Sequence, residues 1–110
     1  MNINKSLYKG TLKSVILKLL ASEIKMYGYQ ITQRAKEITL GHLQITEGAL
    51  YPILHQLEID NIIQSEVQTI NGRERKYYLL TEKGKRVQQN SAEEIKLYLT
   101  NLQNIFGDAF

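Results

Sequence analysis

Thr46-Glu47-Gly48-Ala49-Leu50-Tyr51-Pro52-Ile53-Leu54-His55-Gln56-Leu57 is the stretch on which the reading of this chain turns. At about 100° per residue, Leu50, Ile53, Leu54 and Leu57 fall on one side of a helix, and Gly48, Pro52 and His55 on the other, with Tyr51 at the border. Thr46 can cap this helix through its hydroxyl, and Glu47 in the first turn suits the positive end of the helix dipole. The outer face is bare at its start: Gly48, Ala49 and Pro52 stand where bulky polar side chains could, so the backbone can approach another surface closely. Pro52 removes one intrahelical bond and crowds the Gly48 carbonyl, a defect of about 3 kcal/mol in an ordinary helix interior. Two accommodations are open: Gly48 relaxes the first turn, or the regular helix starts only at about Pro52.

Downstream, Asn61 can end the helix in the left-handed C′ position, and the period then changes from helical to two. Ile63, Ser65, Val67 and Thr69 alternate with Gln64, Glu66, Gln68 and Ile70, which reads as a strand. Asn71-Gly72 is a strong hairpin signal, Arg75 to Leu80 is the returning strand, and the tip carries Arg73, Arg75 and Lys76. The whole chain carries a net charge of +3, but the segment from Asn71 to Arg86 alone carries +4. Positive charge concentrated in this way is the footprint of a polyanion contact. Lys83, Lys85 and Arg86 belong to the same cluster, with DNA contact and a solvated surface about equally open to them.

Upstream, a first helix is expected from near Leu7 or Thr11 to before Lys25, with Leu12, Val15, Ile16, Leu19 and Leu20 facing the core. Lys9, Lys13 and Lys18 fall on the outer face, where a solvated surface is favoured over a DNA contact. Tyr27-Gly28-Tyr29 opens a second helix carried by Ile31, Ala35 and Ile38 and stopped by Gly41 as its left-handed C′ residue; both rings are expected in the core, with a phosphate bond by one hydroxyl as the less favoured alternative, and Gly28 permits close packing. The alternation in His42-Leu43-Gln44-Ile45 offers a short additional strand. Three helices followed by a basic hairpin make a winged helix-turn-helix, mostly α with a small β-hairpin (α+β). In that arrangement the third helix enters the major groove and the wing lies along the flanking backbone.

Thr81 caps a last helix that runs to about Phe106, and Ile95, Tyr98, Leu99, Leu102, Ile105 and Phe106 recur along it in a 3-4-3-4 rhythm. So small a domain cannot cover that stripe alone, and each large side chain left in water forgoes about 1.5–3 kcal/mol. A second copy is the natural cover, and a two-fold dimer would duplicate the third helix to match a palindromic site. The division expected is residues 1–80 as the DNA-binding unit and residues 81–110 as the dimerisation helix.

The composition narrows the remaining classes. One hundred and ten residues suffice for one small core. The absence of Cys rules out disulfides and thiolate zinc sites and suits the cytoplasm. The longest apolar run near the N-terminus, Val15 to Leu17 and then Leu19 to Ala21, is too short and too interrupted for a membrane span or signal peptide. His42 and His55 are the only imidazoles, and Glu93-Glu94 point apart on a helix, so neither an acid–base pair nor a metal-ligand motif is present in the sequence; no enzyme activity, metal or cofactor is expected.

Three segments together resemble the PadR family of bacterial transcriptional regulators: Tyr27-Gly28-Tyr29-Gln30-Ile31, Thr46 to Leu54, and Gly72-Arg73-Glu74-Arg75-Lys76-Tyr77-Tyr78-Leu79-Leu80-Thr81-Glu82-Lys83-Gly84. Their order and spacing cover nearly the whole chain, and the single last helix is similar to the short subfamily in which that helix makes the dimer. The resemblance implies a homodimeric winged-helix repressor of double-stranded operator DNA, released in several members by a small aromatic or cationic effector. Some short members stack flat ligands on a Trp of the last helix; this chain has no Trp and offers Tyr98, Phe106 and Phe110 there, and it carries Leu79 where a polar residue is more usual. The DNA-facing residues expected are Thr46, Glu47, Gly48, Ala49, Tyr51, Pro52, His55 and Gln56 on the helix and Arg73, Arg75 and Lys76 on the wing. Three phosphate contacts per wing would give a dimer a salt slope near −5. An effector would lie near Leu12, Ile16, Tyr98 and Leu102, although such apolar stripes are more often simply core. The alternative is a winged-helix module that pairs with protein and has little affinity for DNA.

Overall fold

The computed structural model describes residues 6–110. Two short-range devices divide the expected first helix into α1 (Ser6–Lys9) and α2 (Leu12–Ala21). Gly10 is a poor helix former, and the Thr11 amide (3.0 Å) and hydroxyl (3.1 Å) both donate to the Tyr8 carbonyl, closing a turn. Helix α3 (Gly28–Ile38) also ends one residue earlier than expected. The Thr39 hydroxyl donates to the Ala35 carbonyl (2.7 Å) and accepts from the Leu43 amide (2.9 Å), which stops the helix and makes Leu40 the C′ residue at φ 53°, with Gly41 following it, also left-handed, at φ 86°. The Gly41 amide then reaches Lys36 (2.8 Å) and the Leu40 amide reaches Glu37 (3.2 Å), the paired bonds of a Schellman ending.

Helix α4 (Glu47–Ile59) is regular from its cap, where the Thr46 hydroxyl accepts from the Ala49 amide at 3.2 Å and the Leu50 amide bonds the Thr46 carbonyl at 2.9 Å. A start at Pro52 is thereby excluded. Pro52 sits within the helix on its exposed side, and so does Gly48, whose carbonyl has lost its usual donor. Leu50, Leu54 and Leu57 are the buried face and Ile53 is half-buried, as the periodicity requires. Asn61 takes the left-handed position at φ 58°, with Ile62 bonded back to Leu57.

The wing consists of β2 (Ile63–Ile70) and β3 (Arg73–Leu80), joined through Asn71 (φ 52°) and Gly72 (φ 77°). Both central residues have positive φ, which is the type I′ geometry matching the twist of the strands. The return strand thus begins at Arg73, paired with Ile70, rather than at Arg75. The third strand is β1 (Met26–Tyr27), on the other edge of β3, and not His42 to Ile45. That connector is irregular because Leu43 and Ile45 both turn into the core, acting as a plug instead of a ladder.

Ile16, Leu17 and Leu20 from α2, Ile31 from α3, the α4 leucines and Ile63 from β2 make the centre of one core. Helix α5 (Glu82–Phe106) is attached to it by its first turns. The Thr81 hydroxyl accepts from the Gly84 amide (2.9 Å) and lies 2.7 Å from the Asn61 carbonyl, and the Thr81 amide bonds Ile62 (3.1 Å). Gly84 is buried directly against the Ile62 carbonyl, where any Cβ would collide with backbone.

Gly84→Ala is therefore expected to destabilise the protein by about 1–3 kcal/mol or more, because the obstacle is a carbonyl and not a movable side chain. Urea melts of the two proteins, with unchanged m-value and a lowered midpoint, would check this; an unaltered midpoint would show that the junction is not tight.

Candidate nucleic-acid interface

The exposed side of α4 carries Thr46, Glu47, Gly48, Tyr51, Pro52, His55 and Gln56, with Ala49 half-buried. These side chains are not equally available. The Thr46 hydroxyl is engaged in the cap, and Gln56 donates to Asp60 at 3.1 Å along the helix. Tyr51 leans back over the start of α3: a Cβ on Gly28 would lie 2.5 Å from its hydroxyl oxygen, so the missing side chain of Gly28 is what seats the ring. Around Gly48 no atom lies within 4 Å of where a Cβ would be, and the helix front there is open.

Strand parity sorts the wing cations. Register pairs Arg73 with Ile70, Arg75 with Gln68 and Lys76 with Val67, so Arg73 and Arg75 share one face and Lys76 takes the other. On the outer face, Arg75 lies over the Tyr27 ring (4.7 Å), Tyr27 meets Tyr77 edge-on (5.4 Å), and Lys25 covers Tyr77 (5.2 Å) while pairing with Glu66 (2.6 Å). Tyr27 is therefore half-buried on the sheet, and Tyr29 is exposed rather than in the core, since it follows Gly28 onto the outer side of α3. Arg73 at the tip engages no side chain among the described residues.

On the inner face, Lys76 pairs with Glu58 of α4 at 3.1 Å and lies 5.5 Å from the Tyr78 ring centroid. Ser65 of β2 donates to the second oxygen of the same carboxylate at 2.9 Å. Partial burial is the largest single influence on Glu58 and pushes its pKa up. The hydrogen bonds from Ser65 and Lys76, with the charges of Lys76 and His55, together hold it below the ordinary value. The bond to Glu58 holds Lys76 above its ordinary value against desolvation. Neither Glu58 nor Ser65 was marked by any sequence motif; the hairpin turn alone, by fixing register, could have separated Lys76 from the two arginines.

Of the third basic group, Lys83 donates to the Asp60 carbonyl at the end of α4 (2.8 Å) and Lys85 pairs with Glu82 (3.1 Å). Arg86 has no such partner among the described residues. The stripe on α5 is largely open, with Tyr98 53% exposed, Leu99 52%, Ile105 75% and Phe106 52%, while Ile95 and Leu102 are half-buried. Between α2, α3 and α5 runs an apolar groove of about 540 Å³ lined by Val15, Leu19, Leu43, Ile95, Tyr98 and Leu99 among others. The four effector-lining residues expected from sequence do not converge on it. Tyr98 lines this groove, Leu12 lines a second cavity of about 750 Å³ beside Thr46, Ile16 is wholly buried in the core, and Leu102 lines neither. The reason is helical phase: Val15 and Leu19 face the groove, and Ile16, about 100° further round, faces the core.

Among the described residues no group of three or more His, Asp or Glu side chains could hold a metal ion, and no helix is long and apolar enough to cross a membrane. The sequence pattern of the PadR-like family of transcriptional regulators matches residues 16–90. An uncharacterized protein of Lysinibacillus sphaericus is 33% identical over 84 residues, 76% of each chain. A transcriptional regulator of Mycobacterium tuberculosis is 34% identical over 65 residues, 59% of this chain and 58% of that one. Among solved structures, a transcriptional regulator from Clostridium thermocellum superposes with a TM-score of 0.81 at 27% identity, covering 94% of this chain and 100% of its own. A PadR-like transcription factor from Bacteroides fragilis gives 0.73 at 33% identity, covering 91% and 94%.

The Glu58–Lys76 link should be visible in acid. A carboxyl whose pKa is lowered by folding adds stability above its ordinary titration range and loses it as pH falls through the lowered value. The melting temperature of the wild type minus that of Glu58→Gln is thus expected to be small and constant around neutral pH, and to vanish once the pH has fallen through the lowered titration of the carboxyl. A difference that grew on acidification would contradict the pairing.

Proposed function

The chain belongs to the PadR-like family of transcriptional regulators, and from that premise we propose that it is a dimeric repressor reading operator DNA through α4 and the wing. One observation carries this reading: the open helix front at Gly48 and Pro52 lies in the same unit as a basic hairpin whose tip residue, Arg73, engages no side chain among the described residues. Gly48, Ala49 and Pro52 let the backbone into the major groove, His55 is free to reach a base edge, and Arg73 and Arg75 take phosphates or the minor groove. Thr46, Tyr51 and Gln56 already have partners and act mainly by shaping that surface.

Residues 1–80 form the reading unit in this proposal, and residues 81–110 the dimerisation helix. The half-exposed stripe on α5 supports a second copy as its cover, since Ile105 stays 75% exposed and Phe106, although stacked on Phe110, stays 52% exposed. The apolar groove beside that stripe is the place for a small aromatic or cationic effector, with Tyr98 as the ring available to it. Such a compound would act on the separation of the two reading helices. The work of such a regulator is cytoplasmic, where the DNA is.

Titration of a duplex carrying the protein's own upstream region, at several salt concentrations, tests the proposal. With two wing cations per protomer, Arg73 and Arg75, on phosphates, a dimer should show a slope of log K against log salt near −4, and nearer −5 where Lys76 leaves Glu58 for the DNA. Arg73→Ala should reduce that slope by about two while sedimentation still reports a dimer. A flat response, or no binding, would reject the reading.

Gly48→Ala separates fold from function. The new Cβ meets open space and replaces Gly inside a helix, so stability should rise by up to about 1 kcal/mol. Affinity for the operator should fall, because the added methyl stands between backbone and groove. Equal or tighter binding would show that α4 does not approach DNA by this face.

A further inference from the structure

The corner between α4 and the inner face of the wing holds an arrangement that the family assignment does not explain. Both oxygens of the Glu58 carboxylate are taken, one by the Lys76 ammonium (3.1 Å) and the other by the Ser65 hydroxyl (2.9 Å). The two donors come from different strands, β3 and β2, and they converge on one anionic group that belongs to a third element. Two oxygens on a single anionic centre, one facing an ammonium and one a hydroxyl, are also what a phosphodiester presents through its non-bridging oxygens.

We propose that Ser65 and Lys76 form a phosphodiester cradle, which in the free protein is occupied by the protein's own Glu58 carboxylate acting as an internal competitor for the DNA backbone. The inference rests on the DNA-binding reading above and assigns this corner a role within it.

Three observations support it over a purely structural tie. The corner is open, with the Lys76 side chain 50% and the Glu58 side chain 28% exposed, and ion pairs so accessible contribute little to stability and open readily. Lys76 also has the Tyr78 ring beneath it, 5.5 Å from ammonium to centroid, so its position does not depend on Glu58 alone. Glu58 stands one helical turn after His55, on the element that carries the reading surface, so a duplex seated on α4 brings phosphates toward this corner. In the free protein the carboxylate cancels one wing cation and so lowers the sequence-independent part of DNA affinity. Only a duplex held firmly enough by α4 displaces it, which turns a loss of general affinity into discrimination between sites.

The test uses the full chain as wild type, Glu58→Gln, Lys76→Met and the double variant. Each is titrated at several salt concentrations against its own upstream duplex and an unrelated duplex of equal length, with thermal melts in parallel. Glu58→Gln is expected to bind the unrelated duplex about tenfold more tightly at low salt, with a slope steeper by about one for each protomer. In the Lys76→Met background the same substitution should bring little or no gain. Glu58→Ala, which also removes the acceptor for Ser65, should reproduce the result if Glu58→Gln folds poorly. An unchanged slope, weaker binding, or a gain that persists without Lys76 would overturn the cradle while leaving the DNA reading in place. No binding by any of the four proteins would overturn both.

Discussion

The close approach of Gly84 to the Ile62 carbonyl holds together the two halves on which everything else depends. Helix α4 ends at Asp60, its last carbonyls are taken by Asn61, Ile62 and the Lys83 ammonium, and α5 starts against the same few atoms through Thr81. A side chain at position 84 would push the long helix off the end of α4. With hydrogen there instead, the direction of α5 is coupled to the end of α4, and in the proposed dimer a change in how two α5 helices meet would turn the two α4 helices with them. The junction is built from backbone groups, which explains why a Gly and a Thr suffice where bulkier contacts might be expected.

Helix α4 combines a tight inner face with an undemanding outer one. Leu50, Leu54 and Leu57 are each buried to within about 1% and set the rotation of the helix, so the outer residues are aimed without help from one another. That tolerance is what lets Pro52 persist in the second turn: its missing hydrogen bond falls on the exposed side, where the Gly48 carbonyl is open to solvent. Gly28 makes a related contribution from α3, leaving room for the hydroxyl end of the Tyr51 ring against the helix start.

Charge on the wing is distributed by the period-two alternation of the strands. Among the described residues Arg73 engages no side chain at the tip, Arg75 is steadied on Tyr27, and Lys76 is turned inward to Glu58. Three basic residues within four positions thus stand in three different settings. The count of wing charges available to a polyanion is smaller than the composition of the hairpin implies, and it can be changed by a single carboxylate on another element.

Much of this was legible in the sequence because it depends on near neighbours. Periodicity found the buried face of α4 and the length of α5, Asn61 and Asn71-Gly72 carried their left-handed turns in their identities, and Thr46 and Thr81 announced their caps. Local hydrogen bonding misled where two neighbours competed: Thr39 closed α3 one residue early and gave Leu40 the position expected of Gly41. What tertiary structure decided were relations between segments with no local signature. Met26 and Tyr27, not His42 to Ile45, took the edge of β3, Glu58 met Lys76 and Ser65, Tyr51 met Gly28, and Ile16 turned away from the groove that Tyr98 lines. A helix or a turn is specified by bonds that span a few residues, so its code lies within the chain's own short range. A pairing between elements depends on where the packing of the core carries each one, and that is settled only when all of them have folded together.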